Sequence, residues 1–151
     1  MKQLILMRHA EALPTAIGGS DFERPLSHDG MAMARRAAAR LQQSGPIPDG
    51  LWCSPALRTR QTAELMRDGL GLQDRSLHED PRLYLATPAA IRAVLVSIND
   101  EVQCLLLVAH NPAISALASM LSAEAAQVAL ATADYRIIDL QPPDWRGLAS
   151  P

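Results

Sequence analysis

The chain has 151 residues, of which 48% are hydrophobic and only 3% aromatic, and its formal net charge is −2. This length and composition exclude a disordered chain and predict one globular domain, residues 1–151, with a mainly aliphatic core. The small negative charge gives no general attraction to nucleic acid or acidic membranes, so we expect neither as a partner, and any anion site must be local. No apolar run is long enough for a signal peptide or a membrane span, which favours a cytoplasmic protein.

The sequence opens with a buried strand that ends in two side chains able to bind an anion. Residues 4–7 are Leu-Ile-Leu-Met, an apolar run without alternation, which is typical of a strand buried on both faces of a parallel sheet. Arg8 and His9 follow directly, at the position where open α/β sheets place their ligands. Taken alone, such a pair is also typical of an ordinary strand end.

The first helix is predicted to follow a loop. Residues 13–25 contain the proline and glycine residues typical of a loop, and Ser27 has the character of a helix N-cap. Apolar residues at helical spacing then predict a helix that ends at Gly45. The arginines elsewhere on this helix favour a solvated surface over a binding surface.

A second strand and helix place another cation at a strand end. Residues 51–54 predict a short strand, and Ser54-Pro55 predicts an N-cap followed by a helix that runs to about Gly69. Arg58 falls in the first turn of this helix, beside the positive end of the helix dipole, where an anion would be drawn. A surface ion pair is the alternative for Arg58 alone.

The second half of the chain also contains a buried strand that ends beside a side chain able to bind an anion. Residues 104–109 are the clearest fully buried strand in the sequence, and His110 follows them. Asn111-Pro112 then predicts a helix start, and residues 135–140 predict the last strand. Residues 76–84, which lie between the second strand and this one, are predicted to be irregular or an edge strand.

Three strand ends therefore carry side chains that bind anions. Arg8 and His9 follow the first strand, Arg58 follows the second, and His110 follows the strand at 104–109. Because parallel strands point their carboxyl ends the same way, we expect these side chains to converge at one edge of the sheet. Two guanidinium groups, two imidazoles and nearby helix N-termini would form a cationic pocket of the size of a phosphate.

Four motifs in this order resemble the histidine phosphatase superfamily, whose fold is phosphoglycerate-mutase-like. The motifs are Arg8-His9-Ala10, Arg24-Pro25-Leu26-Ser27-x-x-Gly30, Ser54-Pro55-x-x-Arg58-x-x-Gln61-Thr62-Ala63 and His110-Asn111-Pro112. Each motif is weak by itself, but the ordered set is specific and spans most of the chain. A short chain with Arg-His-Ala near its start is most similar to the phosphohistidine phosphatase SixA branch.

The resemblance implies a three-layer α/β/α sandwich with a mostly parallel central sheet, and a two-step phosphoryl transfer. His9 would be the nucleophile, and water would then hydrolyse its phosphohistidine intermediate. No cofactor or metal is implied, because the arginines and His110 would supply the positive charge that the phosphoryl group needs. The residues implied in substrate binding are Arg8, Arg24, Arg58, His110 and Asn111.

One feature departs from the family pattern. Larger members carry an acidic residue after the second helix, which protonates the leaving oxygen. Here residues 78–84 read His-Glu-Asp-Pro-Arg-Leu-Tyr, and Arg82 stands nearest the usual acid. Glu79 is a possible general acid, as is Asp80 if the loop brings it inward. Glu11, although near the nucleophile in sequence, is expected to be a structural partner of an arginine.

These features favour an enzyme that removes phosphate from phosphohistidine on a protein, for example a signalling phosphocarrier. The long insertions that roof the site in sugar-phosphate enzymes are absent at this length, and an open pocket suits a protein-borne phosphate. The alternatives are a phosphatase of small phosphomonoesters and a non-catalytic phosphate-binding module. A metal protein that uses the four histidines is disfavoured, because none of them has a partner at ligand spacing.

Overall fold

The computed structural model describes residues 1–122 and 129–149, which form a sheet covered by helices on both faces. Its strands and helices are, in chain order, β1 (Gln3–Arg8), α1 (His28–Ser44), β2 (Gly50–Cys53), α2 (Leu57–Leu70), β3 (Leu77–Glu79), α3 (Pro88–Val96), β4 (Cys104–Ala109), α4 (Ala113–Leu121) and β5 (Tyr135–Asp139). No helix within residues 1–122 and 129–149 is both long and apolar enough to cross a membrane.

The strands are ordered β3-β2-β4-β1-β5 in the sheet. β1 pairs in parallel with β4, from Gln3 beside Cys104 to Arg8 beside Ala109, and β4 pairs in parallel with β2. β3 is a parallel edge strand, and β5 is an antiparallel edge strand beside β1. The predicted mostly parallel sheet is confirmed, and the carboxyl ends of β1, β2 and β4 lie at the same edge.

The alternation of β1 divides the core into two layers. Leu4 and Leu6 pack with the buried residues of α3 and α4, whereas Ile5 and Met7 pack with those of α1 and α2. All four side chains are fully buried. Burying an aliphatic side chain of this size contributes about 1.5–3 kcal/mol, so a strand that is apolar on both faces requires helices on both faces. The predicted three-layer α/β/α sandwich is confirmed.

The start of α1 is tied to the loop that follows β1. Ser27 is its N-cap, as predicted, since the Ser27 Oγ accepts a hydrogen bond from the Gly30 N–H at 2.9 Å. The same hydroxyl donates to Glu11 Oε1 at 2.8 Å. The expectation that Glu11 pairs with an arginine is therefore wrong, because the tertiary fold places the Ser27 hydroxyl beside its carboxylate.

Two other helices begin later than predicted. α2 begins at Leu57 rather than after Ser54, because the Ser54 hydroxyl accepts from the Ala56 N–H at 3.3 Å in a turn that precedes the helix. α4 begins at Ala113, with Pro112 in the N-cap position. The polar residues expected as caps, Ser54 and Asn111, form hydrogen bonds with residues distant in the chain.

Gly30 is predicted to be the glycine at which a methyl group is most disruptive. A Cβ at Gly30 would lie 2.0 Å from the backbone oxygen of Glu11, and backbone cannot move aside as a flexible side chain does. We expect Gly30→Ala to lower the free energy of unfolding by about 1–3 kcal/mol or more, measured by urea denaturation. Gly147→Ala is the control, because its Cβ would meet Pro142 at an ordinary 3.4 Å. Equal stability of the two variants would contradict this packing argument.

Candidate active site

The strand ends bring the predicted side chains to one edge of the sheet. The His9 N–H donates to the Ala109 carbonyl oxygen at 3.2 Å, which ties the residue after β1 to the last residue of β4. The His9 and His110 rings then lie edge to face, with centroids 5.5 Å apart. Arg58 Nη2 lies 3.2 Å from His110 Nδ1. The expected convergence of these residues is therefore present in the structure.

His9 is held as a neutral imidazole in one tautomer. Its Nδ1 lies 2.7 Å from the Ala10 carbonyl oxygen, which only accepts hydrogen bonds, so Nδ1 carries the proton. Burial lowers the pKa of His9 to about 4; the hydrogen bond to the Ala10 carbonyl opposes this effect, and the positive charges of Arg58, Arg8 and Arg24 add to it. At neutral pH the Nε2 of His9 therefore carries a free lone pair.

His110 is also neutral, with the opposite tautomer. A guanidinium only donates, so His110 Nδ1 accepts from Arg58, and His110 Nε2 donates to Ser54 Oγ at 2.8 Å. Burial, together with the charges of Arg58 and His9, lowers the pKa of His110 to about 3 against an opposing effect of Asp21. The expectation that His110 supplies positive charge does not hold for this form of the site, in which the arginines carry that charge.

The two arginines present unpaired buried donors. The Nε atoms of Arg8 and Arg58 are buried and have no hydrogen-bond partner among the described residues. A buried donor without an acceptor costs about 1–3 kcal/mol, and more when charged, so each Nε–H favours an incoming acceptor. An oxyanion supplies several acceptors at once and forms strong charge-assisted bonds with guanidinium groups. The arrangement is therefore suited to binding a phosphoryl group.

The remaining predicted binding residues contact the protein itself. Asn111 Nδ2 donates to the Leu130 carbonyl oxygen at 3.0 Å, and Asn111 Oδ1 accepts from the Ser115 hydroxyl. Arg8 Nη1 donates to the same Leu130 oxygen at 3.3 Å. Asn111 thus holds the backbone at Leu130, which in turn contacts the Arg8 guanidinium.

Arg24 lies in the loop that follows β1. Its Nε donates to the Leu13 carbonyl oxygen at 2.8 Å, and its Nη1 lies 3.2 Å from Asp21 Oδ1. These contacts close the ends of the loop, while the charge of Arg24 helps to lower the pKa of His9. Arg24 therefore acts on the site electrostatically in this structure.

The candidate acids lie in ion pairs. Glu79 Oε1 lies 3.7 Å from Arg60 Nε at the carboxyl end of β3. The Asp80 carboxylate accepts hydrogen bonds from Nε and Nη2 of the Arg82 side chain and from the Arg82 backbone N–H, and these bonds lower the pKa of Asp80. Asp80 is therefore ionised at neutral pH, and Arg82, its partner, is exposed on the surface. Neither contact involves His9 or its neighbours.

Sequence reasoning missed two residues of the site, Asp21 and Tyr84. Asp21 Oδ2 accepts from Arg58 Nη2 at 3.1 Å and from the Tyr84 hydroxyl at 2.7 Å. The Tyr84 hydrogen bond, followed by bonds from Arg24 and Arg58, lowers the pKa of Asp21 to about 2. The only signal in the sequence was an acid three residues before Arg24, in a region that reads as a loop.

The histidines do not come together as a metal site. His78 stacks on Trp52 with ring centroids 4.2 Å apart, and His28 is exposed at the start of α1. Within residues 1–122 and 129–149, no group of three or more His, Cys, Asp and Glu side chains could hold a metal ion. Of the four histidines, which all lie in the described part of the chain, His9 and His110 contact each other.

The fold and the site agree with sequence comparison. The family model that matches residues 4–84 is that of the histidine phosphatase superfamily, branch 1. An uncharacterized protein of Mycobacterium tuberculosis, Rv1276c, is 38% identical over 117 residues, which cover 77% of this chain and 70% of the relative. The chain belongs to the histidine phosphatase superfamily, and the resemblance drawn from the four motifs is confirmed.

The chain is also similar to solved structures of SixA proteins. A candidate SixA phosphohistidine phosphatase of Agrobacterium tumefaciens is 27% identical, covering 93% of this chain and 92% of its own, with a TM-score of 0.82. The protein histidine phosphatase SixA complexed with tungstate is 28% identical, with coverage of 94% and 91% and a TM-score of 0.80. The alpha-ribazole phosphatase of Shigella flexneri, 17% identical with coverage of 94% and 92% and a TM-score of 0.68, shares the fold.

The neutral state of the two histidines predicts a loss of stability in mild acid. The unfolded chain binds protons on histidine near pH 6.5, whereas folded His9 and His110 bind them only near pH 4 and 3. The unfolded state therefore holds more protons below pH 6.5, and stability falls from there toward pH 4. Between pH 7.5 and 5.5 we expect each histidine to reduce the free energy of unfolding by about 1 kcal/mol.

Urea denaturation at the two pH values measures this effect. His9→Gln should show a smaller loss than the unsubstituted protein, because glutamine does not titrate. His28→Gln is the control, since His28 is an exposed histidine outside the site. The electrostatic interpretation is wrong if His9→Gln and the unsubstituted protein lose the same free energy.

Proposed function

We propose that this protein is a phosphatase that forms a phosphohistidine intermediate on His9 and acts on phosphohistidine carried by a protein. The observation that carries the proposal is the neutral His9, with its proton on Nδ1 and its Nε2 lone pair free. The buried, unpaired Nε atoms of Arg8 and Arg58 support it, because they supply donors for the phosphoryl oxygens. The similar SixA structure is complexed with tungstate, which is also an oxyanion.

In the first step, His9 Nε2 attacks phosphorus and forms a P–N bond, while the bond between phosphorus and the substrate imidazole breaks. Arg8 and Arg58 hold the equatorial oxygens, whose charge must be stabilised in the transition state. The leaving imidazole takes a proton from solvent. Each charge-assisted hydrogen bond that strengthens in the transition state by about 1.4 kcal/mol raises the rate about tenfold.

In the second step, water attacks the phosphorus of phospho-His9. The new P–O bond forms as the P–N bond to His9 breaks, and the proton of the attacking water passes to solvent. His9 returns to the neutral form with its proton on Nδ1, which donates a hydrogen bond to the Ala10 carbonyl oxygen. Because the pKa of His9 is about 4, the released imidazole stays neutral at pH 7 and can attack the next substrate.

The surroundings of the site favour phosphohistidine over alkyl phosphate esters. An alkoxide needs a proton donor in order to leave, whereas an imidazole with a pKa of about 6.5 leaves after protonation by solvent. Asp21, the acid that contacts Arg58, has a pKa of about 2 and is ionised. Asp80 is ion-paired with Arg82. Both are poor general acids, and this supports a P–N substrate.

The intermediate on His9 is directly testable. We expect a substrate protein labelled with ³²P on histidine to transfer label to the enzyme, in a form that is labile to acid and stable to base. The label should be absent in His9→Ala and retained in His28→Ala, an exposed histidine elsewhere on the chain. A metal chelator should leave turnover unchanged. Full activity of His9→Ala, or activity that depends on an added divalent ion, would refute the mechanism.

The choice of leaving group is the second test. Because a positioned general acid typically contributes about 10²–10⁴-fold, we expect kcat/KM for phosphohistidine to exceed that for a simple alkyl phosphate by that order. An aryl phosphate, which has a better leaving group, should be hydrolysed at an intermediate rate. Glu79→Gln and Asp80→Asn should change phosphohistidine turnover little. A ~100-fold loss in either variant would show that the loop supplies an acid after all.

A further inference from the structure

The Asp21 carboxylate is the centre of a network beside the catalytic pocket. Arg24 donates to one of its oxygens at 3.2 Å, and Arg58 and Tyr84 donate to the other at 3.1 and 2.7 Å. The backbone oxygen of Asp21 accepts a further bond from Arg58 Nη1 at 2.8 Å. The Asp21 side chain is 43% exposed, whereas that of Arg58 is 4% exposed, so a partly exposed loop acid contacts an arginine inside the site.

The contacts of Arg58 divide its guanidinium group into two parts. A guanidinium has five N–H donors in a fixed plane. Asp21 takes one hydrogen from Nη1 and one from Nη2, which form one end of the group. The other Nη2 hydrogen points to His110 Nδ1, and Nε has no partner among the described residues. Both Nη2 hydrogens are therefore engaged, and the Nε–H remains for an acceptor supplied by substrate.

We propose that Asp21 and Tyr84 are positioning residues, which hold the Arg58 guanidinium by its Nη1 and Nη2 end so that its Nε–H binds the phosphoryl group. The role of Tyr84 is to orient the carboxylate. Its hydroxyl donates to the same oxygen that Arg58 contacts, and its ring packs edge to face against both Phe22 and His110. This inference rests on the proposed phosphatase function.

The properties of the arginine side chain explain why Arg58 requires Asp21 and Tyr84 to position it. Arg58 is long and has many rotamers, and a guanidinium that must find its orientation during the reaction stabilises the transition state less. Burial of its charge also requires a partner, because an unpaired buried cation is strongly destabilising. Asp21 holds the orientation of the Arg58 guanidinium and pairs with its charge, and it leaves Nε without a partner among the described residues. Its loss should therefore lower kcat more than it weakens binding of the anionic substrate.

The test is kinetic, with substitutions that remove one interaction each. Asp21→Asn keeps the side-chain shape and removes the charge, and Tyr84→Phe removes the hydroxyl while keeping the ring. Glu23→Gln is the matched control, because Glu23 is an exposed acid in the same short turn, Asp21–Glu23. We expect kcat for phosphohistidine protein to fall by about 10–100-fold in Asp21→Asn and about 5-fold in Tyr84→Phe. KM should not rise, because removing a negative charge does not repel an anion.

A double-mutant cycle separates positioning from a general structural effect. In an Arg58→Lys background, Asp21→Asn should cause little further loss, because lysine lacks the planar end that the carboxylate and backbone oxygen hold together. Full additivity of the two substitutions would overturn the proposal. So would a kcat for both Asp21→Asn and Tyr84→Phe that stays within about twofold of Glu23→Gln, or a loss that appears entirely as a higher KM.

An NMR measurement tests the same point without turnover. With tungstate as the oxyanion probe, the Arg58 Nε–H resonance, assigned by its loss in Arg58→Lys, should be sharp in the unsubstituted protein and in Glu23→Gln. It should broaden in Asp21→Asn and in Tyr84→Phe. A sharp resonance in both variants would refute the positioning role. If the protein hydrolyses neither phosphohistidine nor aryl phosphate, the proposed function fails, while this signal still decides the role of Asp21.

Discussion

The parallel pairing of β1 with β4 is the constraint on which the site depends. It sets Arg8 beside Ala109 and continues into the hydrogen bond from the His9 N–H to the Ala109 carbonyl oxygen. Residues that are about a hundred positions apart in the chain therefore end side by side. Parallel strands are usually buried on both faces, and the fully apolar runs of β1 and β4 meet that requirement. The pocket lies where this buried pairing stops.

Burial then determines the electrostatics of the pocket. Two histidines beside two arginines would be a dense positive cluster if all were charged, and burial would make such a cluster costly. The structure keeps both imidazoles neutral, with His9 donating to a carbonyl oxygen and His110 accepting from Arg58. The positive charge therefore resides on the guanidinium groups, which do not lose their protons, while His9 keeps the lone pair that a nucleophile requires.

Asp21 connects this pocket with the surface loop between β1 and α1. It offsets the buried charge of Arg58, and it also opposes the lowering of the His110 pKa by that arginine. Arg24, from the same loop, pairs with Asp21 and closes the loop on Leu13. The loop thus does more than connect two elements, since it supplies the counter-charge for a residue that lies on α2. This counter-charge is the contribution of the loop to the candidate active site.

The sequence by itself indicated the buried strands and the strand-end residues Arg8, His9, Arg58 and His110, because apolar runs and strand-end positions are local signals. The three-layer sandwich was expected from the resemblance of the four motifs to a known family. The sequence did not determine the helix starts at Leu57 and Ala113, since the polar groups of Ser54 and Asn111 bond to groups distant in the chain. Only the tertiary structure showed that Asp21 and Tyr84 meet Arg58. Asp21 lies 37 positions from Arg58 and 63 positions from Tyr84 in the chain. Neither a periodic pattern nor a capping residue in a sequence indicates a partner at such a distance. The tautomers of His9 and His110 were likewise decided by folding, because they depend on which acceptor or donor lies opposite each ring nitrogen.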